Sequence, residues 1–314
     1  MMMSNNILII LCILIGVFII ITLVYILPNL NFPYIHQPYI FTTMYPQFNS
    51  NNTSNKSETV HQSNPIISSL SYDITNKKIP KIIHQIWIGP NKCPDVWLDT
   101  WRNDYVKKYP DWEYILWIDE DIDKLNMINR DLYNMETSYA GKADIARYEI
   151  LYQYGGVYID ADSIHINDKK LDNLIENTNE NGIFCAKEKE NDYLANSVIG
   201  ATPYNSLIYL VIARLREVYM DRRIKQKYRP FEVTGPLLIT EVLSDKNITL
   251  YPSYYFYPLQ WDRNYMGMSK QNIELMFPDS YMFQYGYTTN NLQGMFNDNS
   301  VYVDKFIDNL FSFN

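Results

Sequence analysis

The chain has 314 residues, enough for one large domain or two small ones, and 47% of them are hydrophobic, which allows a substantial core. Its 27 Lys and Arg against 35 Asp and Glu give a net charge of -8 without any long basic run, which argues against a nucleic-acid partner. No Cys-x-x-Cys spacing occurs among Cys12, Cys93 and Cys185, so no zinc or dithiol site is indicated. The sequence leaves open whether Cys93 and Cys185 form a disulfide or are two free thiols.

The first predicted element is an apolar run of 21 residues without charge, Ile7 to Leu27. As a helix it would be about 32 Å long, enough to cross a bilayer, and it exceeds the roughly 7–15 residues of a cleaved signal-peptide core. We therefore expect residues 1–6 to be a short tail, residues 7–27 an uncleaved membrane anchor, and the Asn-, Ser-, Thr- and Pro-rich residues 28–78 a flexible stem. Residues 79–314 would form the globular domain of a single-pass membrane protein. No charged residue occurs before Lys56, so charge does not set the membrane orientation.

From residue 79 onward, short apolar segments alternate with helical ones. Strands are predicted at Lys81–Gly89, Trp112–Asp119, Val157–Asp162 and Gly182–Glu188. Helices are predicted at Pro94–Tyr109, Lys142–Gly156 and Ser206–Ile224. Two later segments, Thr249–Leu259 and Ser280–Tyr287, have the composition of strands or extended chain. This alternation predicts an α/β domain with a mostly parallel sheet.

Two acids, Asp160 and Asp162, follow the apolar residues of the third predicted strand. Ligands bind at the carboxyl ends of strands in open α/β sheets, and alternation would put both side chains on one face. Two carboxylates so placed repel each other unless a cation lies between them, and hard oxygen ligands suit Mg²⁺ or Mn²⁺. The pair therefore predicts a site for a metal ion and a diphosphate. Similar spacings within Asp119–Asp123 are interpreted as a solvated helix start, and His84 as a packed strand residue.

The stretch from Lys142 to Asp162 resembles the sugar-binding region of family 32 glycosyltransferases with the Asp-x-Asp motif. The matching positions are Lys142, Ala143, Asp144, Arg147, Tyr148, Leu151, Gly155, Gly156, Tyr158, Asp160 and Asp162. Residues 79–89, 195–203 and 232–236 resemble other blocks of that family, so the resemblance covers about residues 79 to 287. It implies a GT-A fold, a nucleotide-sugar donor such as GDP-mannose or a UDP-sugar, Mn²⁺ or Mg²⁺, a glycan or glycolipid acceptor, and retention of anomeric configuration. Many members are single-pass Golgi proteins with an anchor and a stem.

The same resemblance implies roles for individual residues. Asp162 would bind the metal, and Asp160 would bind the metal or the ribose and sugar. Asp144 and Arg147, one helical turn apart, would hold hydroxyls of the donor sugar, although such a pair is also compatible with a surface ion pair. Trp87 would flank the base, or else belong to the core.

Further positions are implied by the matching blocks. Tyr148 would belong to the donor site and Asn196 to the reaction centre. The acceptor side would include the Thr234-Gly235-Pro236 turn.

One position departs from the family pattern, which carries a late histidine near the metal and diphosphate. Gln284 stands near that position, and no histidine follows His165. Either Gln284, Asn290 or Asn291 replaces it as a weaker ligand, or metal affinity falls, or activity is lost. Besides the enzyme, the sequence thus leaves open a catalytically inactive sugar- or nucleotide-binding protein and, less favoured, a metal-dependent phosphoesterase.

Overall fold

The computed structural model describes residues 78–91, 93, 95–188, 193–259 and 268–286. The predicted anchor at residues 7–27 and the stem up to residue 77 lie outside the described residues. Within the described part of the chain, no helix has the length and apolar character needed to cross a bilayer.

The first half of the domain contains four strands and four helices. The strands are β1 (Ile82–Ile86), β2 (Glu113–Trp117), β3 (Gly156–Ile159) and β4 (Ser163–His165). Helix α1 begins at Asp95–Asp99, passes through a π-helical segment at Thr100–Tyr105 and ends at Val106–Lys108. The other helices are α2 (Asp119–Lys124), α3 (Arg130–Met135) and α4 (Tyr139–Tyr154).

The second half adds the remaining elements. Its strands are β5 (Ile183–Lys187), β6 (Leu194–Ala201), β7 (Thr249–Tyr251) and β8 (Met282–Gln284). Its helices are α5 (Asp172–Glu176), α6 (Ser206–Tyr219, continued by a π-helical segment Met220–Lys225), α7 (Pro230–Val233), α8 (Pro236–Leu243) and α9 (Lys270–Met276). A 3₁₀ turn covers Ser253–Tyr255.

Six strands form one twisted sheet in the order β2-β1-β3-β6-β5-β7, and β4 pairs with β8 in a separate two-stranded sheet. Strand β1 is parallel to β2 and β3, and β5 is parallel to β7. Strand β6 is antiparallel to both of its neighbours, β3 and β5. The α/β class is therefore confirmed with a mixed sheet, in which β6 is the strand that breaks the parallel pattern.

Apolar side chains fill both faces of the main sheet. On one face Ile82 and Ile86 of β1 pack with buried residues of α4, α6 and α8, and on the other face Ile83 packs with Trp101 and Trp112. Because side chains alternate along a strand, one short apolar segment serves both layers.

Two glycines join α4 to β3. Ser138 caps the start of helix α4, since its Oγ accepts a hydrogen bond from the Gly141 backbone nitrogen at 3.1 Å. Gly155 caps the end of the helix, where φ is 64°, and Gly156 follows with φ of 91°. A Cβ atom at Gly156 would lie 2.8 Å from the Ile82 carbonyl oxygen. The glycine pair therefore lets the chain turn from helix to strand within one residue.

Most predicted elements are confirmed with shorter bounds, two predictions need correction, and one strand was missed. The third predicted strand ends at Ile159, so Asp160 and Asp162 lie in a turn. Strand β6 was identified only as a family block, because its eight buried residues show no alternation of apolar and polar types. The segment Thr249–Leu259 is a strand for three residues only, since Pro252 cannot continue the ladder.

The structure also decides the predictions made for His84, for the two cysteines and for the acidic segment at Asp119. His84 is a packed strand residue as predicted: it is fully buried, its Nε2 lies 2.9 Å from the Gly155 carbonyl oxygen, and its Nδ1 accepts from Trp117. Cys93 and Cys185 are both buried and form no disulfide. The acidic segment at Asp119 begins α2, but Asp121 is buried rather than solvated.

Candidate functional site

The site begins at the turn between β3 and β4. The Asp160 backbone nitrogen donates to the Ser197 carbonyl oxygen at 2.9 Å, and its carbonyl oxygen accepts from Gln85 at 3.1 Å. Strand β4 then pairs with β8, and Ser163 stands opposite Gln284 in the register. The Tyr285 backbone nitrogen donates to the Asp162 carbonyl oxygen at 2.9 Å. Both ends of the turn are therefore fixed by backbone hydrogen bonds, and Gln284 comes beside the two acids.

The two carboxylates converge on the side chain of Gln284. Its Nε2 lies 3.0 Å from Oδ2 of Asp160 and 3.2 Å from Oδ1 of Asp162. Its Oε1 is buried and has no hydrogen-bond partner within the described part of the chain. The convergence expected of the two acids is present, although a turn rather than strand alternation produces it.

Arg147 of α4 links the carboxylate of Asp160 to that of Asp144. Its Nη1 lies 3.1 Å from Oδ1 of Asp160, and its Nη2 lies 3.0 Å from Oδ1 of Asp144. Nη1 also donates to the Asn196 carbonyl oxygen at 2.7 Å. The guanidinium carbon lies 4.4 Å from the centre of the Tyr158 ring, and the Tyr158 hydroxyl donates to Asp160 at 2.8 Å. Arg147 is thus a buried cation held between two acids and over an aromatic face.

A second layer of hydrogen bonds holds Asp144. Asn196 donates from Nδ2 to Oδ1 of Asp144 at 2.8 Å, and Thr234 donates from Oγ1 to Oδ2 at 2.7 Å. The Tyr148 hydroxyl accepts from Asn196 at 3.2 Å and donates to the Thr234 carbonyl oxygen at 2.9 Å. A Cβ atom on Gly235 would lie 3.2 Å from Oδ2 of Asp144. The segment after α7 therefore packs directly against the acid.

Burial sets the protonation of these groups. Burial raises the pKa of Asp144 above its usual value, although the charge of Arg147 acts in the opposite direction. Burial alone would lower the pKa of Arg147, but the nearby Asp160, Tyr158, Asp144 and Tyr148 side chains together more than offset this and keep the pKa raised. Burial also raises the pKa of Tyr158 well above its usual value. At neutral pH the guanidinium is therefore charged, and the Tyr158 hydroxyl keeps its proton as a donor.

The carboxylates face a cleft of about 730 Å³. Of the predicted site residues, the structure brings to its wall Trp87, Asp144, Arg147, Asp160, Asp162, Asn196, Pro236 and Gln284. Tyr148, Thr234 and Gly235 are not among the residues that line it. Tyr148 and Thr234 are fully buried and support the wall from behind. The alternative of a surface ion pair for Asp144 and Arg147 is wrong, because both side chains are buried.

Trp87 directly follows β1 and occupies both of the places predicted for it, beside the binding cleft and in the hydrophobic core. It lines the cleft, and it also packs against a small buried cluster of Cys93, Leu98 and Ala161. Its Nε1 donates to the Asn91 carbonyl oxygen at 2.6 Å. The indole is therefore fixed at the mouth of the cleft beside the turn that carries the acids.

The donor set fits a hard divalent cation. Asp160 and Asp162 provide carboxylate oxygens, and no group of three or more His, Cys, Asp and Glu side chains that could hold a metal occurs among the described residues. A half-turn of the Gln284 amide would exchange its nitrogen for the buried Oε1 and direct a third oxygen toward both acids. Asn290 and Asn291, the other predicted substitutes, lie outside the described residues.

Sequence reasoning gave no role to three residues that the structure brings into the site. Tyr158 stands two residues before Asp160, and this period-two spacing could have placed both side chains together. Arg229 and Phe231 line the cleft from the start of α7. The signal for Arg229 was a local excess of cations at residues 222–229 in an acidic chain.

Comparison with known proteins supports the predicted resemblance. Residues 95–180 match the family model described as the glycosyltransferase sugar-binding region containing DXD motif. This segment includes the whole stretch from Lys142 to Asp162 that carries the resemblance.

Among relatives, inositol phosphoceramide mannosyltransferase 1 of Schizosaccharomyces pombe is 33% identical over 180 residues, covering 52% of this chain and 51% of that protein. Mannosyl phosphorylinositol ceramide synthase CSH1 of Saccharomyces cerevisiae is 32% identical over 205 residues, covering 60% and 50%. The solved structure described as PaToxG Glycosyltransferase aligns at 22% identity over 53% of this chain and 69% of that one, with a TM-score of 0.45. The chain spans about half the length of the two yeast relatives.

Proposed function

We propose that this chain, which carries the glycosyltransferase sugar-binding region with the DXD motif at residues 95–180, is a retaining glycosyltransferase. It moves a hexose, with mannose favoured, from a nucleotide-diphosphate sugar to a hydroxyl group of a glycan or glycolipid. The observation that carries the proposal is the convergence of Asp160 and Asp162 on Gln284 at the wall of the cleft. The family match of the same segment supports it, as do the two relatives, one named an inositol phosphoceramide mannosyltransferase and the other a mannosyl phosphorylinositol ceramide synthase.

The proposed donor site uses the residues at the carboxylate end of the cleft. Asp160, Asp162 and the Gln284 side chain would hold Mn²⁺ or Mg²⁺. When bound, that ion would neutralise charge on the diphosphate leaving group. Trp87 would flank the base of the nucleotide, and Asp144 and Asn196 would orient the donor sugar.

The remaining site residues support this arrangement. Arg147 holds Asp160 in place, and Tyr148 and Thr234 hold Asn196 and Asp144 from behind the wall. Gly235 and Pro236 belong to the acceptor side. In the transfer, the acceptor oxygen forms a bond to the anomeric carbon while the bond from that carbon to the phosphate oxygen breaks. The proton of the acceptor hydroxyl passes to the leaving phosphate, so no covalent nucleophile is required.

The wider architecture belongs to the same proposal. A GT-A fold agrees with the mixed α/β sheet and with acids at the end of its central strand β3. The anchor at residues 7–27 and the stem would place the catalytic domain beside a secretory-pathway membrane, such as that of the Golgi, where glycolipid acceptors lie.

Calorimetry on the full chain tests the proposal. UDP and GDP should bind far better with Mn²⁺ than without it, and Asp162→Asn should remove the metal-dependent part, because it removes one charged ligand while keeping size. Asp123→Asn is the matched control, since Asp123 is an exposed acid in another Asp-x-Asp spacing. A panel of nucleotide sugars then identifies the donor by turnover. Equal binding with and without metal in all three proteins would contradict the metal site.

One observation favours a second candidate, a binding protein without activity. The amide nitrogen of Gln284 donates to both carboxylates and so reduces the repulsion between them. The two acids can therefore lie close together in this site without a metal ion. Nucleotide-sugar binding without hydrolysis or transfer, at saturating Mn²⁺, would select this candidate over the enzyme.

A further inference from the structure

One short motif outside the cleft has the sequence of an attachment site for an N-linked glycan. Oligosaccharides are attached to asparagine in the pattern Asn-x-Ser or Asn-x-Thr, where x is any residue except proline. From residue 78 to the end of the chain this pattern occurs once, at Asn247-Ile248-Thr249. Three further copies, at Asn51, Asn52 and Asn55, precede the domain. Asn247 is thus the one candidate for a glycan on the domain itself.

The turn between α8 and β7 presents Asn247 to solvent. Asn247 is exposed, whereas the next residue, Ile248, is partly buried and packs against the main core. Thr249 begins β7 and stands opposite Phe184 of β5 in the register. The motif therefore lies where the chain enters the sheet, with its asparagine at the surface and its middle residue against the core.

The side-chain amide of Asn247 can carry a sugar without losing its contacts. Its Nδ2 donates to Oε1 of Glu180 at 3.0 Å, and its Oδ1 accepts from Nδ2 of Asn179 at 3.2 Å. The bond to Glu180 is the one that Nδ2 makes among the described residues, and a primary amide nitrogen has two hydrogens to donate. Attachment of a glycan replaces one of these hydrogens, so the other can still serve Glu180.

The loop before β5 fixes the backbone of the motif. The carbonyl oxygen of Asn247 accepts from the side chains of Asn179 at 3.1 Å and Asn181 at 2.7 Å. The Asn179 backbone nitrogen donates to Oγ1 of Thr249 at 2.9 Å. The motif therefore has a defined place on the surface, and a serine hydroxyl at position 249 would provide the same acceptor.

This place is at the opposite end of the sheet from the acids of the cleft. Strand β6 is antiparallel to both β3 and β5, so β5 runs in the same direction as β3, and β7 is parallel to β5. The start of β7 is therefore at the end of the sheet where β3 starts, while Asp160 follows the other end of β3. In the sheet order β7 is also the third strand from β3, roughly 14 Å away at the usual strand spacing. A glycan at Asn247 would thus leave the cleft open.

We infer that Asn247 carries an N-linked glycan, which an oligosaccharyltransferase attaches as the chain enters the secretory pathway. The oligosaccharide comes from a lipid-diphosphate carrier. A bond forms between Nδ2 and the first carbon of the oligosaccharide, the bond from that carbon to the diphosphate oxygen breaks, and the amide proton is released together with the lipid diphosphate. The inference rests on the secretory-pathway placement within the proposed function, and not on the donor chemistry of the cleft.

Expression of the full chain in eukaryotic cells, with the earlier motifs removed, tests this. Asn51→Gln, Asn52→Gln and Asn55→Gln are combined, so that the motif at Asn247 is the only one left. The protein should run as a larger species on gel electrophoresis, and peptide-N-glycosidase F should reduce its size by one glycan. That enzyme converts a glycosylated asparagine to aspartate, so mass spectrometry of the digested protein should find the conversion at position 247.

Matched variants in the same background assign the glycan to this motif. Asn247→Gln and Thr249→Val should both remove the size difference. Thr249→Ser should retain it, because serine preserves the motif and the hydroxyl group. Asn181→Gln, at an exposed asparagine outside any such motif, should retain it as well. Binding of GDP and UDP with Mn²⁺ should be the same before and after removal of the glycan.

Several outcomes would overturn the inference, and they separate its parts. Unmodified Asn247 in a chain whose earlier motifs are glycosylated would overturn it while leaving the secretory-pathway placement intact. Absence of glycan from all four motifs would overturn both. A glycosidase-sensitive species that persists in Asn247→Gln would overturn the assignment to this residue, and nucleotide binding that improves on glycan removal would overturn its placement away from the cleft. Turnover of nucleotide sugars by the same proteins tests the proposed chemistry independently of the glycan.

Discussion

At the scale of single residues, Arg147 changes the electrostatic argument about the two acids. From sequence, a metal ion was the expected relief for repulsion between Asp160 and Asp162. In the structure a buried guanidinium lies 3.1 Å from Asp160, and an amide lies against both acids. The chain itself therefore compensates part of the negative charge of the two acids. The arrangement of the site depends on the planar guanidinium of Arg147, whose nitrogens contact Asp144, Asp160 and the Asn196 carbonyl oxygen.

Replacement of Arg147 by lysine tests that geometry. We expect Arg147→Lys to lower the free energy of unfolding by about 1.5–3 kcal/mol, because an ammonium group cannot hold Asp144, Asp160 and a carbonyl oxygen at once. Metal-dependent nucleotide binding should weaken in the same variant. Urea unfolding and calorimetry measure the two effects. Arg214→Lys, at a partly exposed ion pair, should stay within about 0.5 kcal/mol of the wild type, and a similar loss in both variants would contradict the argument.

At the scale of elements, a buried carboxylate fixes the start of the site helix α4. The Oε1 atom of Glu136 accepts from the backbone nitrogens of Thr137 and Ser138 at 2.9 and 2.8 Å. Its Oε2 accepts from Tyr219 at 3.0 Å and from Arg223 at 2.8 Å. The helix that carries Asp144 and Arg147 is thereby attached to the end of α6.

We expect Glu136→Gln to destabilise the domain by about 1.5–3 kcal/mol at pH 7, since hydrogen bonds to a charged acceptor are lost. Burial alone would raise the pKa of Glu136, but Arg223 and Ser138 lower it to about 2. The folded pKa lies below the ordinary value of 4.5, so this stability is present above pH 4.5 and is lost as the pH falls toward 2.

The difference between wild type and Glu136→Gln in urea unfolding should therefore shrink between pH 5 and pH 3. Glu217→Gln, at an exposed acid, is the control. A difference that stays constant over this range would show that the charge of Glu136 does not matter.

At the scale of the whole molecule, two buried histidines give stability a dependence on pH. Burial lowers the pKa of His84 and of His165 to about 4 each, although backbone hydrogen bonds act in the opposite direction. Below pH 6.5 these two histidines bind protons in the unfolded chain but stay neutral in the folded domain. Unfolding free energy should therefore fall between pH 6.5 and pH 5, by up to about 1.4 kcal/mol per pH unit for each histidine.

NMR titration of the histidine ring protons measures this directly, with His84→Gln and His165→Gln used for assignment. Both rings should remain neutral at pH 5 in the folded protein, and urea unfolding should show the stated slope. Titration of either ring near pH 6.5 would contradict the burial argument.

The sequence was sufficient for those parts of the molecule that local patterns control. Apolar segments at β1 and β2, and the glycine pair after α4, predicted the elements and their order. Strand β6 was missed because Asn196 and Ser197 are buried inside it, and only tertiary contacts with Asp144 and Tyr257 satisfy them. The supporting place of Thr234 was equally hidden, since its partner Asp144 is 90 residues away.

The pairing of β4 with β8 has a consequence for the order in which the protein is made. Five of the six strands of the main sheet have been synthesised once Ala201 is complete, with only β7 still to come, but Gln284 follows some eighty residues later. A nascent chain can therefore present its acid pair on a folded sheet before the amide that bridges it exists. Because Gln284 follows all of the described residues that line the cleft except Gly286, the amide reaches the acid pair only after the rest of that wall has been synthesised.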